Sequence, residues 1–135
     1  DLCHDFLMLK ILTKITVTPD CGNAPRKEFL KNLNIAFATG DADFIIEHVS
    51  EDIKWNIYGD KHINGKEDFT KEMNIMKDYT ADEVVIHSII THGREAALNG
   101  EMKMGEKTYA FCDVYRFTNT KNDMIKQMDS YVLPI

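Results

Sequence analysis

After Tyr79 the apolar residues settle into period two and keep it almost to the last residue. Candidate strands are Glu83–Thr91, Arg94–Met104, Lys107–Thr118 and Met124–Leu133. Turn-forming residues separate them at His92-Gly93, Gly105-Glu106 and Asn119–Asn122. Such short connections describe a four-stranded antiparallel meander. The first half follows another period. Phe29, Leu30, Leu33, Ala36 and Phe37 form one apolar stripe on a helix expected over Ala24–Thr39, with Asn23 as N-cap and Pro25 and Glu28 in the first turn. Gly40 ends that helix, and Asp41 can cap a short second one carrying Phe44, Ile45, His48 and Val49. A strand is expected at Ile53–Gly59 and a third helix at Lys66–Lys77, with Phe69, Met73 and Met76 along one side. Three helices followed by a meander make an α+β domain with the helices on one sheet face.

Only one such domain fits in 135 residues. A chain of this size buries about 65–70% of its unfolded surface, enough for a core without metal or disulfide staples. Residues 23–135 are assigned to a single domain. Residues 1–22 are an N-terminal arm or extra strand, because Leu9–Val17 alternates well enough for an edge strand or an arm exchanged with a partner. Sixteen Lys and Arg face twenty-two Asp and Glu, for a net charge of −6. That balance argues against nucleic acid as partner, since gripping phosphates needs clustered cations. No run of about 18 apolar residues is present to span a membrane. Cys3, Cys21 and Cys112 are odd in number and form no CxxC, which suits free thiols in a reducing compartment. The start is acidic, and no small-residue cleavage site follows the apolar run from Phe6 to Leu12. The expected location is the cytoplasm.

The Met104-Gly105-Glu106-Lys107 hairpin sets a register. Glycine at the first loop position suits a two-residue type II′ turn. Met104 then pairs with Lys107, Met102 with Tyr109, Gly100 with Phe111 and Leu98 with Asp113. One face holds Leu98, Gly100, Met102, Tyr109, Phe111, Asp113, Tyr115 and Phe117; the other holds Ala110, Cys112, Val114 and Arg116. A sheet apolar on both faces needs two covers. The helices supply one, and a second copy of the chain, docked around Cys112, Val114 and Arg116, is the expected source of the other.

Asp113 is the main candidate for chemistry. Burial among Tyr109, Phe111, Tyr115 and Phe117 disfavours its charged form and raises its pKa, and a carboxyl so held can donate a hydrogen bond or shuttle a proton. The alternative is a structural polar contact to a helix N–H or a buried tyrosine hydroxyl. Trp55, the only tryptophan, shares a face with Ile53 and Ile57, and is either core or the wall of a pocket. The histidines do not assemble a metal site and no HExxH occurs, so no metal is expected. His87, between Val85 and Ile89, reads as a core or interface residue. There is no GxSxG, Walker loop or GxGxxG. Lys61, Lys66, Lys71 and Lys77, interleaved with acids, read as a solvated face.

Four segments in this order resemble the nuclear-transport-factor-2-like (cystatin-like) superfamily, and within it the SnoaL-like relatives of polyketide cyclases and ketosteroid isomerases. They are Ala38-Thr39-Gly40-Asp41, Ser50-Glu51-Asp52-Ile53-Lys54-Trp55, Ile63-Asn64-Gly65-Lys66-Glu67-Asp68-Phe69 and Asp113-Val114-Tyr115-Arg116-Phe117, within roughly Pro25–Leu133. The resemblance implies a cone: a curved, mostly antiparallel sheet wrapped around three helices, with a pocket opening at one end. It also implies an acid at Asp113, where the isomerases hold an enolate oxygen with a protonated carboxyl. The isomerases' helix tyrosine falls on Leu33 and their base on Ile57 or Asn56; the cyclases' histidine falls on Asn99. None of these can take a proton.

The expected pocket is therefore lined by Trp55, Ile57, Leu98, Met102, Tyr109, Phe111, Tyr115 and Phe117 around Asp113. The expected function is a cofactor-free isomerase, cyclase or dehydratase acting on a small apolar carbonyl compound. Binding of a small apolar ligand without turnover is the alternative, and a dimeric association module is a third.

Overall fold

The structure is a computed structural model that describes residues 13–20, 22 and 24–135. The first helix among these residues, α1, spans Pro25–Thr39, with Pro25 in its first turn and Ala24 at the N-cap position, where no side-chain bond caps it. Asn23, the expected cap, lies outside the described residues, as do Cys3, Cys21 and residues 1–12. Gly40 closes α1, and the Asp41 carboxylate accepts from the Phe44 N–H at 3.3 Å to start α2, Ala42–Glu47. The third helix, α3, runs over Lys66–Met76.

Among the described residues, seven strands form one sheet in the order β1-β4-β5-β6-β7-β2-β3. They are β1 Lys14–Val17, β2 Val49–Ile57, β3 Lys61–Asn64, β4 Glu83–His92, β5 Glu95–Met104, β6 Lys107–Phe117 and β7 Ile125–Pro134. The meander β4-β5-β6-β7 is antiparallel throughout, as is the β2-β3 pair. β2 joins β7 in parallel, and β1 joins β4 in parallel as an extra edge strand. The fold class is thus α+β, with three helices among the described residues on a curved, mostly antiparallel sheet. Register shifts at Val49/Lys54, Ile86/Ser88 and Arg116/Phe117 mark irregularities of the kind that bend strands.

Most boundaries fall within one or two residues of expectation, and two features differ more. β2 begins at Val49, not Ile53, because Val49 already pairs with Ile125 across the bulge. β3 was not expected: in four residues only Ile63 is buried, too little to show a period. The β5–β6 hairpin has the expected register, with Met104 opposite Lys107 and Leu98 opposite Asp113. Gly105 has φ +63° and no non-glycine residue among the described ones has a positive φ, as a turn needing a left-handed residue only at its first position requires.

The core lies between the helices and one sheet face. Leu30, Leu33, Ile53, Phe69, Tyr115, Phe117 and Met128 are almost wholly buried there. Each large apolar side chain so buried contributes about 1.5–3 kcal/mol. Arg26 pins the β6–β7 loop to α1. Its guanidinium stacks 3.7 Å from the centre of the Phe117 ring, and it donates to the Asp123 carboxylate at 3.1 Å and the Asn122 carbonyl at 2.8 Å. No helix among the described residues is long and apolar enough to cross a membrane.

α1 packs over β4 and α3 over β2, with α2 between the two helices. β4 and β2 are separated by three strands. The helices therefore cover the flanks of the sheet and leave its middle less filled.

Candidate functional site

A cavity of about 380 Å3 occupies this middle region. Met102, Phe111, Asp113, Tyr115, Met128 and Ser130 form its floor, on β5, β6 and β7. Trp55 and Ile57 come from β2, Asn34 and Phe37 from α1, and Met73 and Met76 from α3. One end is polar and exposed: Asp60, Lys61, Glu72, Lys77 and Tyr79 line it, and Lys61 donates to Glu72 at 2.9 Å, tying β3 to α3. That bond holds the Lys61 ammonium above its ordinary pKa. Lys61 and Lys77 are exposed, as a solvated face requires, and both also border the cavity.

Four polar side chains converge on the carboxyl of Asp113 from its two sides. The Trp55 Nε1–H donates to Ser130 Oγ at 2.9 Å. Ser130 stands opposite Asp113 on the neighbouring strand, and its hydroxyl lies near enough to the carboxyl to pull its pKa down. From the other side, Asn34 Nδ2 donates to the Leu30 carbonyl at 2.9 Å and to Tyr115 Oη at 3.0 Å. The Tyr115 hydroxyl in turn donates to Asp113 Oδ2 at 3.5 Å, a long bond.

The donors at the ends of this chain set its direction. Indole N–H is a donor only, so Ser130 Oγ must accept from it and turn its own proton to Asp113. The Leu30 carbonyl is an acceptor only. It orients the Asn34 amide, whose NH2 then makes Tyr115 Oη an acceptor and aims the phenol proton at Asp113. The carboxyl is thereby built as an acceptor.

Burial pushes its pKa up from 3.8 to about 6, against the pull of the Ser130 and Tyr115 hydroxyls. Asp113 keeps some accessible surface, and it borders the cavity. The group is thus shielded by protein yet reachable by a ligand. Burial first, and the neighbouring Asp113 next, raise the Tyr115 phenol well above its ordinary value, so it remains a donor.

Of the residues expected to line the pocket, Trp55, Ile57, Met102, Phe111 and Tyr115 meet around this cavity with Asp113. Leu98, Tyr109 and Phe117 are not among its walls. Leu98 and Phe117 are 1% and 0% exposed and belong to the packed core, where the Phe29 ring sits edge-on to Phe117 at 6.1 Å and fills the space. Tyr109 lies near the hairpin end of β6 opposite Pro134, so Tyr115 rather than Tyr109 is the carboxyl's partner. Leu33 is core, while Asn56 bonds the Asp129 carboxylate at 2.8 Å and Asn99 is paired with Cys112 on the opposite face from Asp113.

Asn34 and Ser130 were missed. Asn34 stands four residues after Leu30 and three before Phe37 on the apolar stripe, and an amide there is the signal that was available. Ser130 shows only once β7 is registered on β6.

The outer face of the sheet exposes Val114, Tyr131 and Leu133, and Tyr58 stacks on Tyr131 with ring centres 4.9 Å apart. Arg116 lies there beside Glu95 at 3.6 Å, and Cys112 is free and half-buried. His87 is not core: the β4 bulge at Ile86/Ser88 leaves it exposed, with Nε2 2.8 Å from Glu101. Among the described residues no group of three or more His, Cys, Asp or Glu is placed to hold a metal ion.

Among curated proteins nothing matches this sequence. Among solved structures the chain is similar to an NTF2-like protein of unknown function from Cytophaga hutchinsonii, at 23% identity and TM-score 0.64, over 80% of this chain and 99% of that one. It is also similar to a putative ketosteroid isomerase from Kribbella flavida, at 10% identity and TM-score 0.64, over 80% and 77%. A third is an LEH-like epoxide hydrolase from M. tuberculosis, at 17% identity and TM-score 0.66, over 80% and 75%. At these identities the likeness speaks for the fold alone. The model of the SnoaL-like domain matches residues 30–127, and the chain belongs to that family.

Proposed function

We propose that this protein binds a small, largely apolar molecule in the cavity and that Asp113 takes a proton from it, in an isomerase-, cyclase- or dehydratase-type step. The observation that carries this reading is one carboxyl on the wall of an apolar cavity, held by two hydroxyls that are each held by a further donor. A base is most useful when its pKa lies near the working pH, and a carboxyl raised to about 6 meets that condition. The volume falls within the range of small-molecule sites. The named activities of a putative isomerase and an epoxide hydrolase on the same fold are compatible with proton chemistry in such a cavity.

Binding without turnover is the second reading. What favours it is that the ionisable side chains bordering the cavity other than Asp113 and Tyr115 sit at its exposed end, and Tyr115 is already engaged with Asp113. The outer face, with Val114, Tyr131 and Leu133 exposed around Cys112 and Arg116, is the proposed contact of a homodimer. A free Cys112 suits a reducing compartment such as the cytoplasm.

The test is to screen small apolar compounds by thermal shift, then follow each binder for solvent-deuterium incorporation and product by NMR with wild type and Asp113→Asn. Turnover that Asp113→Asn abolishes while binding survives supports the enzyme. Binders that are never labelled or converted by wild type leave the binding protein.

A further inference from the structure

Inside the cavity, each side-chain hydrogen-bond donor among the described residues is already engaged. The Trp55 indole N–H is held by Ser130, and the two Asn34 amide hydrogens by Leu30 and Tyr115. The Tyr115 hydroxyl is directed at Asp113, and the Ser130 hydroxyl beside it acts on the same carboxyl. What remains open is acceptor capacity. A carboxylate has about four lone-pair sites, and these two hydroxyls take at most two of them; Asn34 Oδ1, whose NH2 is fully used, is another. Around them the wall is apolar, with Phe37, Met73, Met102, Phe111 and Met128. The cations bordering the cavity are Lys61 and Lys77 at its exposed end, and Lys61 is paired with Glu72.

We infer that the ligand of this cavity presents a hydrogen-bond donor, an O–H or N–H group on an apolar body, to Asp113. This rests on the proposed small-molecule reading and narrows it. A carbonyl compound with no O–H or N–H finds no free donor for its oxygen, and the same holds for an enolate formed from it. A carboxylate or phosphate is worse, since it meets like charge in a site of low polarity. Phenols, alcohols and amines fit: their proton meets Asp113, and burying the apolar remainder against the methionines and Phe111 supplies the bulk of the affinity.

The experiment compares three probes of one shape by isothermal titration calorimetry in mildly alkaline buffer, with the full chain: para-propylphenol, its methyl ether and para-propylbenzoate. A hydrogen bond to a charged group that only the phenol can make should favour it over the ether by about tenfold or more, with the benzoate weakest. Asp113→Asn should invert the order of phenol and ether, because an asparagine that keeps its Oδ1 toward the two hydroxyls turns its NH2 to the cavity. A melting curve checks that this variant folds, and if it does not, the wild-type order decides alone. Ether binding equal to or tighter than phenol overturns the inference and leaves the cavity as a small-molecule site. No heat and no thermal shift with any of the three overturns the underlying reading, and the inference with it.

Discussion

Replacing Asp113 by asparagine should change how stability depends on pH, and the direction follows from the burial of the carboxyl. In the folded protein the group titrates at about 6, against an ordinary value of 3.8. Between those values the folded state binds the proton more tightly than the unfolded chain. The resulting stabilisation is fully present below about pH 4 and is lost as pH rises through about 6. The difference converts to about 3 kcal/mol at most. Asparagine keeps the shape of the side chain and has no proton to lose. Relative to Asp113→Asn, the wild type should therefore lose up to about 3 kcal/mol between about pH 4 and pH 7. Urea denaturation of both proteins at stepped pH gives this difference directly. Charges at the exposed end, Asp60, Lys61, Glu72 and Lys77, are common to both proteins and largely cancel. Cys112 and Tyr115, the ionisable neighbours of Asp113 on β6, are both pushed upward and do not change charge in this window. A flat difference, or a wild type that gains on the variant as pH rises, would refute the claim that burial dominates over the two hydroxyls.

Gly100→Ala should destabilise the fold by about 2–3 kcal/mol or more. A Cβ there would sit 2.1 Å from the Val85 carbonyl oxygen and 3.0 Å from Phe111, and backbone cannot move aside as a side chain can. An unchanged melting temperature would show that β4 and β5 separate more easily than they should. Ketosteroid isomerase activity should be negligible, since Leu33 is core and Ile57 cannot remove a proton; robust conversion of a β,γ-unsaturated ketosteroid would put the base elsewhere. Sedimentation should show a dimer, with the outer sheet face burying more than about 1,000 Å2 in total, and Val114→Glu should shift it toward monomer. A wild-type mass that stays monomeric at all concentrations refutes that interface.

How far the sequence could be read depended on how local each feature was. Gly105 determines its turn within two residues, so the whole β5–β6 register, and with it the face of Asp113, followed from the chain alone. The helices were readable because their stripes are local too. The parallel pairings of β2 with β7 and of β1 with β4 join segments far apart, and nothing within either segment names its partner. β3 was too short to show alternation. The pocket was half readable for the same reason. Its floor lies on the neighbouring meander strands β5, β6 and β7, but which floor residues stay uncovered depends on where α1 and α3 land, and Leu98 and Phe117 are covered. Ser130 and Asn34 reach the carboxyl only after two non-local contacts have formed.

The bond between Trp55 and Ser130 has an optical consequence. With a single indole in the chain, all tryptophan emission comes from the wall of the cavity. That ring is joined through one hydroxyl to the carboxyl of Asp113. A charge appearing two hydrogen bonds from an excited indole shifts its emission, as does expulsion of water from the space beside it. The protein therefore carries its own reporter for both the protonation of Asp113 and the filling of the cavity, with no label attached.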